Sequence, residues 1–336
     1  MPQARALILG AGQAGLRHAE ALRELGIPFT GPLSSRDVAR DPSPIRDRQI
    51  QVVHVCSAND LHAPLVTEAF SAEKDVICEK PLTHDVATAD DLEARGLRSG
   101  RLAIVAYNYR FHPMLIEFAA RVAAGELGTI HDVRGSFLQD WLLLSTDDNW
   151  RVDAARGGAS RVVADIGVHW LDIVEVITGR KVESVAAQVG RLHDRATEDH
   201  GGLLMRFAGG LAGTCVLSQG AAGHRNDVEV SIDGSRASVT WRSTQPDELW
   251  IGQRDGARVV KRDGDLISPA ARRLAALPAG PNAPRRDLFA AFYARLAGDE
   301  RPPAAPLATF ADGARHIRFA AAALQSAREL AWIDIA

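Results

Sequence analysis

Lysine is scarce in this chain. Lys74, Lys80, Lys181 and Lys261 are the only four, although Lys+Arg totals 39. Arginine is written wherever a plain positive charge suffices. A retained lysine is therefore a candidate for what a guanidinium cannot do, lowering its pKa and exchanging a proton. Cysteine is sparse too: Cys56, Cys78 and Cys215 form neither a disulfide framework nor a Cys-x-x-Cys pair. Two of them lie in the apolar runs VVHVCSA and VICEK and read as buried, inert thiols. No apolar stretch reaches the roughly 20 residues of a membrane span. The opening MPQARALILG runs into a strand-like segment instead of a signal peptide, so a cytoplasmic location is expected. A net charge of −3 over 336 residues argues against a nucleic-acid or anionic-membrane partner.

The length suits two domains at roughly 150 residues each. RALIL (5–9), IPFTGPL (27–33), QVVHVCSA (51–58), DVICEK (75–80) and LAIVAYNY (102–109) read as strands. Helical stretches separate most of them, while 34–49 is polar and turn-rich. Strands alternating with helices predict a doubly wound parallel sheet over 1–109. After a helix over about 113–124 the periodicity changes to two. IHDVRGSFLQ, VESVAAQVGRL, GGLLMRFA, LAGTCVLSQ, DVEVSID, RASVTWR, ELWIG and ARVVK predict a large, mainly antiparallel open sheet in an α+β domain over 110–336. One helix, about 160–178, interrupts that series; 268–286 reads as a loop or arm, and helices over 287–297 and 310–331 close the chain.

Gly10-x-Gly12-x-x-Gly15 joins the first strand to the first helix, the context a dinucleotide fingerprint requires. The first Gly permits the turn, the second lets the backbone approach a pyrophosphate, and the third lets helix and strand pack closely. The helix N-terminus then offers free N–H groups to the phosphates. Some 20 residues on, where a carboxylate would read the 2′-hydroxyl of NAD, stand Ser34, Ser35 and Arg36. Small hydroxyls beside an arginine suit a 2′-phosphate, so NADP is slightly favoured over NAD.

Lys80 stands directly before Pro81, after the fourth alternating strand. Residues 157–172 read GGASRVVADIGVHWLD, with Asp165 and His169 four apart and so on one helix face, and Asp172 along the same side. A histidine beside a carboxylate serves either as an oriented general base or in a structural hydrogen bond. No ligand spacing supports a metal site.

Together, the fingerprint, Glu79-Lys80-Pro81 and Asp-x-Gly-x-His-x-x-Asp at 165–172 resemble the glucose–fructose oxidoreductase / inositol dehydrogenase / rhizopine-catabolism (Gfo/Idh/MocA) family. The resemblance implies a Rossmann domain, a second domain whose open sheet makes homodimers or homotetramers, and catalysis by Lys80, Asp165 and His169. It further implies cofactor contacts from Gln13, Ala14, Ser57, Asn59, His62 and Glu79, and a commonly cis Lys80–Pro81 peptide. The segments YNYRFHP (107–113), QDWLL (139–143), NWRVD (149–153) and SQGAAGHRND (218–227) are similar to levoglucosan dehydrogenases and related glycoside 3-dehydrogenases. That likeness implies a sugar pocket in which Trp141 and Trp150 stack on a pyranose, while Asn108, Arg110, Gln139, Asp140 and Arg151 bond its hydroxyls. The same tryptophans also suit interface or core packing. The implied reaction moves a hydride between a secondary carbinol and nicotinamide. The alternatives are an NADPH-dependent keto-sugar reductase and a catalytically silent nucleotide-binding regulator. Two departures from the family pattern stand out: a shortened region before QVVHVC, and a loop PAGPNAPRRD (278–287) without the expected His and Glu.

Overall fold

A computed structural model describes residues 4–335 of the chain. In chain order the first elements are β1 (Ala6–Leu9), α1 (Gln13–Glu24), β2 (Phe29–Leu33), α2 (Ser35–Arg40), α3 (Ser43–Arg46), β3 (Val52–Val55), α4 (His62–Ser71), β4 (Asp75–Cys78), α5 (Val86–Ser99) and β5 (Ala103–Val105). Next come α6 (Pro113–Ala123), β6 (Ile130–Leu138), α7 (Ala154–Gly157), α8 (Val168–Thr178), β7 (Val182–Gly190), β8 (His200–Phe207), β9 (Leu211–Ser218) and β10 (Asp227–Gly234). The chain ends with β11 (Ser238–Arg242), β12 (Glu248–Gln253), β13 (Gly256–Lys261), α9 (Pro269–Ala275), α10 (Ala283–Leu296), α11 (Phe310–Glu329) and β14 (Ile333–Asp334).

These elements form two compact units. The first holds the chain up to Asn108, and Asp153–Ala159 and Gly280–Ile317 return to it. The sequence pattern places everything after 109 in the second domain. Buried polar groups explain the return. Glu79 and His54 lie in the first unit and find partners on α10, in Arg285 and Tyr293 respectively. The Val105 N–H of β5 likewise donates to the Ala308 carbonyl at 2.9 Å.

The first sheet is parallel, in the order β2-β1-β3-β4-β5. Every residue of β1, β3 and β4 is buried, as expected where helices cover both faces. β2 carries a cis Gly31–Pro32 bond and lies at the edge, where proline's missing N–H costs no ladder bond. The polar stretch after it contains two short helices. Ser34 caps α2 by accepting from the Asp37 N–H at 3.4 Å.

The second unit is built on a nine-stranded sheet, β13-β12-β11-β10-β6-β9-β8-β7-β14, antiparallel except where β6 meets β9. Alternation divides its faces. Val133, Phe137, Met205, Phe207, Leu217 and Val230 are buried. On the opposite face one register row runs through Leu204, Thr214, Arg134, Ser231, Thr240, Trp250 and Val259. Two stretches differ from the sequence reading. The expected arm over 268–286 contains α9 and the start of α10. Ser268 caps α9 at the Ala271 N–H, and Pro269 is tolerated in its first turn, where no helical donor is lost. The expected single helix over 160–178 begins instead with a π-helical turn at Val163–Gly167, followed by α8.

Candidate active site

In the first unit the candidate groups gather at the carboxyl ends of β1, β3 and β4, where a doubly wound sheet binds nucleotides. The glycine turn has the backbone that its sequence requires. Gly10 has φ +119, and a Cβ there would meet the Cys56 carbonyl oxygen at 2.3 Å. A Cβ on Gly15 would lie 1.8 Å from the Gly10 oxygen. Gly12 is different: a Cβ there meets nothing within 4 Å. It is the N-cap of α1, with no side-chain cap and no acidic residue in the first turn. The open position and bare N–H groups of Gln13, Ala14 and Gly15 fit a pyrophosphate. Ser57 Oγ, just beyond β3, is a buried hydroxyl with no hydrogen-bond partner among the described residues, a further polar atom suited to a ligand.

The remaining cofactor candidates divide. Ser34 Oγ is engaged in capping α2, Ser35 opens that helix and Arg36 is exposed on it. Asn59 donates to the Gly157 carbonyl at 2.9 Å. His62 is fully buried between the Pro81 carbonyl at 2.9 Å and the Ser57 carbonyl at 3.3 Å, and burial lowers its pKa. It therefore ties the end of β3 to the turn after Lys80. Asn108 lies at the end of the first unit, partly exposed.

Glu79 is held from within. One carboxylate oxygen faces His18 Nε2 at 3.1 Å and Arg285 at 3.4 Å; the other accepts the Lys80 N–H at 3.2 Å. Burial would raise its pKa, but the His18 bond and the Arg285 charge bring it well below the usual carboxylate range. The chain of bonds continues. His18 Nδ1 is 3.0 Å from His54 Nδ1, and His54 Nε2 is 3.0 Å from the Tyr293 hydroxyl. Burial keeps both imidazoles neutral and Tyr293 protonated. The tautomers follow: Tyr293 donates to His54, His54 Nδ1–H to His18, and His18 Nε2–H to Glu79. Lys80, at the cis bond to Pro81, thus takes its backbone position from a carboxylate braced by α1 and α10.

In the second unit Asp165 lies on the π-helical turn, with His169 following on α8. Such turns are rare and concentrate at functional sites. Asp165 Oδ2 accepts from Gln219 at 2.8 Å, and its Oδ1 is 3.5 Å from Arg151 Nε. Gln219, fully buried, is 3.4 Å from Gln139 Oε1, which also accepts the Trp141 indole N–H at 2.7 Å. Gln139 Nε2 donates to Asn226 at 2.8 Å, and Asn226 donates to the Tyr109 hydroxyl at 2.9 Å. The Tyr109 ring stands edge-on to His169, with centroids 5.3 Å apart. A connected series of acid, amide and phenol groups therefore runs from Asp165 round to His169. Trp150 lies under the Arg151 guanidinium at 4.4 Å, and Asp140 is partly exposed in the same loop.

Arg110 is committed to an internal ion pair. It is 5% exposed and forks onto Asp172 with bonds of 2.6, 2.9 and 3.1 Å. Asp172, expected on the His169 side, is the buried counterion of Arg110. Gln219, Asn226 and Tyr109 were not singled out from sequence, although the quoted segments contain all three. Among the described residues no group of three His, Cys, Asp or Glu is placed to hold a metal ion.

Two family models match, the NAD-binding Rossmann fold of the GFO/IDH/MocA oxidoreductase family over 33–107 and its C-terminal domain over 116–240. Levoglucosan dehydrogenase of Pseudarthrobacter phenanthrenivorans is 28% identical over 261 residues, 69% of this chain and 64% of that protein. The uncharacterized oxidoreductase YfiI of Bacillus subtilis is 29% identical over 213 residues, 61% of this chain and 54% of that protein. The chain thus matches between about half and two thirds of these relatives' lengths. An inositol dehydrogenase homolog from Azotobacter vinelandii, solved with NAD+, shares the fold at a TM-score of 0.88 and 24% identity, covering 99% of this chain and 97% of that one. With its parallel nucleotide sheet, its Glu79-Lys80-Pro81 turn and both domain models matched in order, this chain belongs to the Gfo/Idh/MocA oxidoreductase family.

Proposed function

We propose that the protein is an NAD(P)-dependent dehydrogenase that oxidises a secondary hydroxyl of a sugar, anhydrosugar, glycoside or cyclitol, C3 being the favoured carbon of a pyranose. The observation that carries this reading is the series Asp165, Gln219, Gln139, Asn226 and Tyr109 beside His169. Alternating donors and acceptors of this kind complement a polyhydroxylated ligand. Similarity to levoglucosan dehydrogenase supports the substrate class.

The Gly10–Gly15 turn and the start of α1 would hold the pyrophosphate of a nicotinamide dinucleotide, which when bound would supply the hydride-accepting chemistry. His169 takes the hydroxyl proton as the carbon–hydrogen bond breaks, a role worth about 10²–10⁴-fold. Asp165, itself held by Gln219 and Arg151, orients that exchange. Lys80 donates to the same oxygen and offsets developing alkoxide charge, which a compact ammonium does better than a guanidinium fork. NADP is proposed as slightly preferred over NAD, on Ser35 and Arg36 and the lack of a carboxylate before Asp37.

A second copy of the chain is proposed to cover the outer face of the large sheet, where Leu204, Trp250 and Val259 are exposed in one register row. Light scattering returning a monomer mass would remove that part. The chemistry is tested by following 340 nm absorbance with a sugar and polyol panel, in both directions, with NAD and NADP in parallel. Cofactor binding without turnover of any panel member would end the dehydrogenase reading.

A further inference from the structure

Loop 191–199, between β7 and β8, contributes none of the residues of the proposed site, yet it touches two of the segments that supply that site. The first is the loop 139–151. Arg195 donates to the Leu142 carbonyl at 3.0 Å, to Leu144 at 2.7 Å and to Asp147 at 3.1 Å. His193 Nε2 faces the Leu143 carbonyl at 2.8 Å. Four carbonyls of one irregular segment are thus held by two side chains. That segment carries Gln139, Asp140, Trp141, Trp150 and Arg151.

The second segment is the helical start that bears Asp165 and His169. Glu198 Oε1 accepts from Ser160 Oγ at 2.6 Å, from the Arg161 N–H at 2.8 Å and from the Val163 N–H at 3.3 Å. A remote carboxylate therefore caps the π-helical turn, satisfying donors that a helix start leaves open. Asp199 joins the two halves. It is fully buried and binds both Arg161 and Arg195. Burial would raise the Asp199 pKa, but bonds from Arg161, the Leu192 N–H and Arg195 lower it overall. Arg161 is also bonded to Thr197 and to the Glu198 carbonyl.

We propose that loop 191–199 is a clamp whose Arg195 positions the substrate loop 139–151 and whose Glu198 positions the turn carrying Asp165. This inference rests on the site proposed above. The two arms have separable consequences. Arg195→Ala releases the segment expected to bind hydroxyls, so the sugar KM rises about tenfold or more while kcat stays within about twofold. Glu198→Ala leaves three donors uncapped, so kcat falls about tenfold or more with little change in KM. Glu198→Gln keeps an acceptor oxygen and restores most of kcat; Arg195→Lys restores part of KM. NADH affinity stays at wild type in all four.

Hydrogen–deuterium exchange on the full chain reads the clamp without using activity. Arg195→Ala accelerates exchange over 140–150 and spares 160–168; Glu198→Ala does the reverse. Equal acceleration everywhere, or none, overturns the proposal, as does selective exchange with unchanged kinetics. If the wild type oxidises no sugar, the substrate reading fails by itself, while the exchange pattern still decides whether the clamp exists. Should Glu198→Ala fail to fold, Glu198→Gln and Arg195→Lys carry the same comparison. A Glu198→Gln protein as impaired as one lacking all acceptors would refute the capping role.

Discussion

Replacing Arg110 with methionine distinguishes a substrate ligand from a structural counterion. Its guanidinium and the Asp172 carboxylate have side-chain exposures of 3% and 1%. In Arg110→Met the carboxylate stays buried without its fork. Removing one partner of a buried pair costs about 3–5 kcal/mol, much of it the desolvation of the charge left behind. At about 1.4 kcal/mol per decade, that lowers the folded-to-unfolded ratio by roughly a hundred- to several-thousandfold. With a slope of about 2–3 kcal/mol per molar urea, the denaturation midpoint falls by about 1 M or more. Replacing both groups, as Arg110→Met with Asp172→Leu, removes the stranded charge and recovers most of the loss. The assay is urea unfolding followed by tryptophan fluorescence, with sugar KM measured on the protein that remains folded. A single variant with a wild-type midpoint and a raised KM would refute the buried-pair argument. So would a double variant whose loss equals the sum of the singles.

The glycine turn separates fold from binding: Gly12→Ala keeps the wild-type Tm and loses NAD(P)H affinity, whereas Gly10→Ala and Gly15→Ala lose Tm, because only their Cβ atoms meet backbone within 2.3 Å; calorimetry of all three checks this. His112 caps α6 by accepting the Met114 N–H, and burial lowers its pKa to about 4 from 6.5. The unfolded chain therefore binds the extra proton first, so stability is lost as pH falls from about 6.5 to about 4, by ~3 kcal/mol in total. His112→Asn keeps a cap acceptor and removes that share of the pH slope in thermal melts. His169→Asn is expected to keep cofactor affinity, lose kcat by about a hundredfold or more and lose the acidic limb of the oxidation pH profile; Lys80→Met falls further than Lys80→Arg. Stopped-flow and steady-state rates on folded protein test both.

The sequence alone determined what local physics controls. Period-two alternation and the strand–glycine–helix order depend on near neighbours, so both sheets and the pyrophosphate turn were legible. The lysine bias singled out Lys80, and a spacing of four singled out Asp165 and His169. Tertiary structure decided the partners. Nothing in the local pattern could say that Asp172 pairs with Arg110, 62 positions away. Nor could it say that the loop lacking the expected His and Glu supplies Arg285 to Glu79, 206 positions away. Gln219, Asn226 and Tyr109 lay in segments already suspected, but only register brought β6 beside β9 and set Gln139 against Gln219. Glu198 and Arg195 were invisible because the charges of a loop carry no period. A buried ion must find its counter-charge wherever packing places one, and packing is a property of the whole chain.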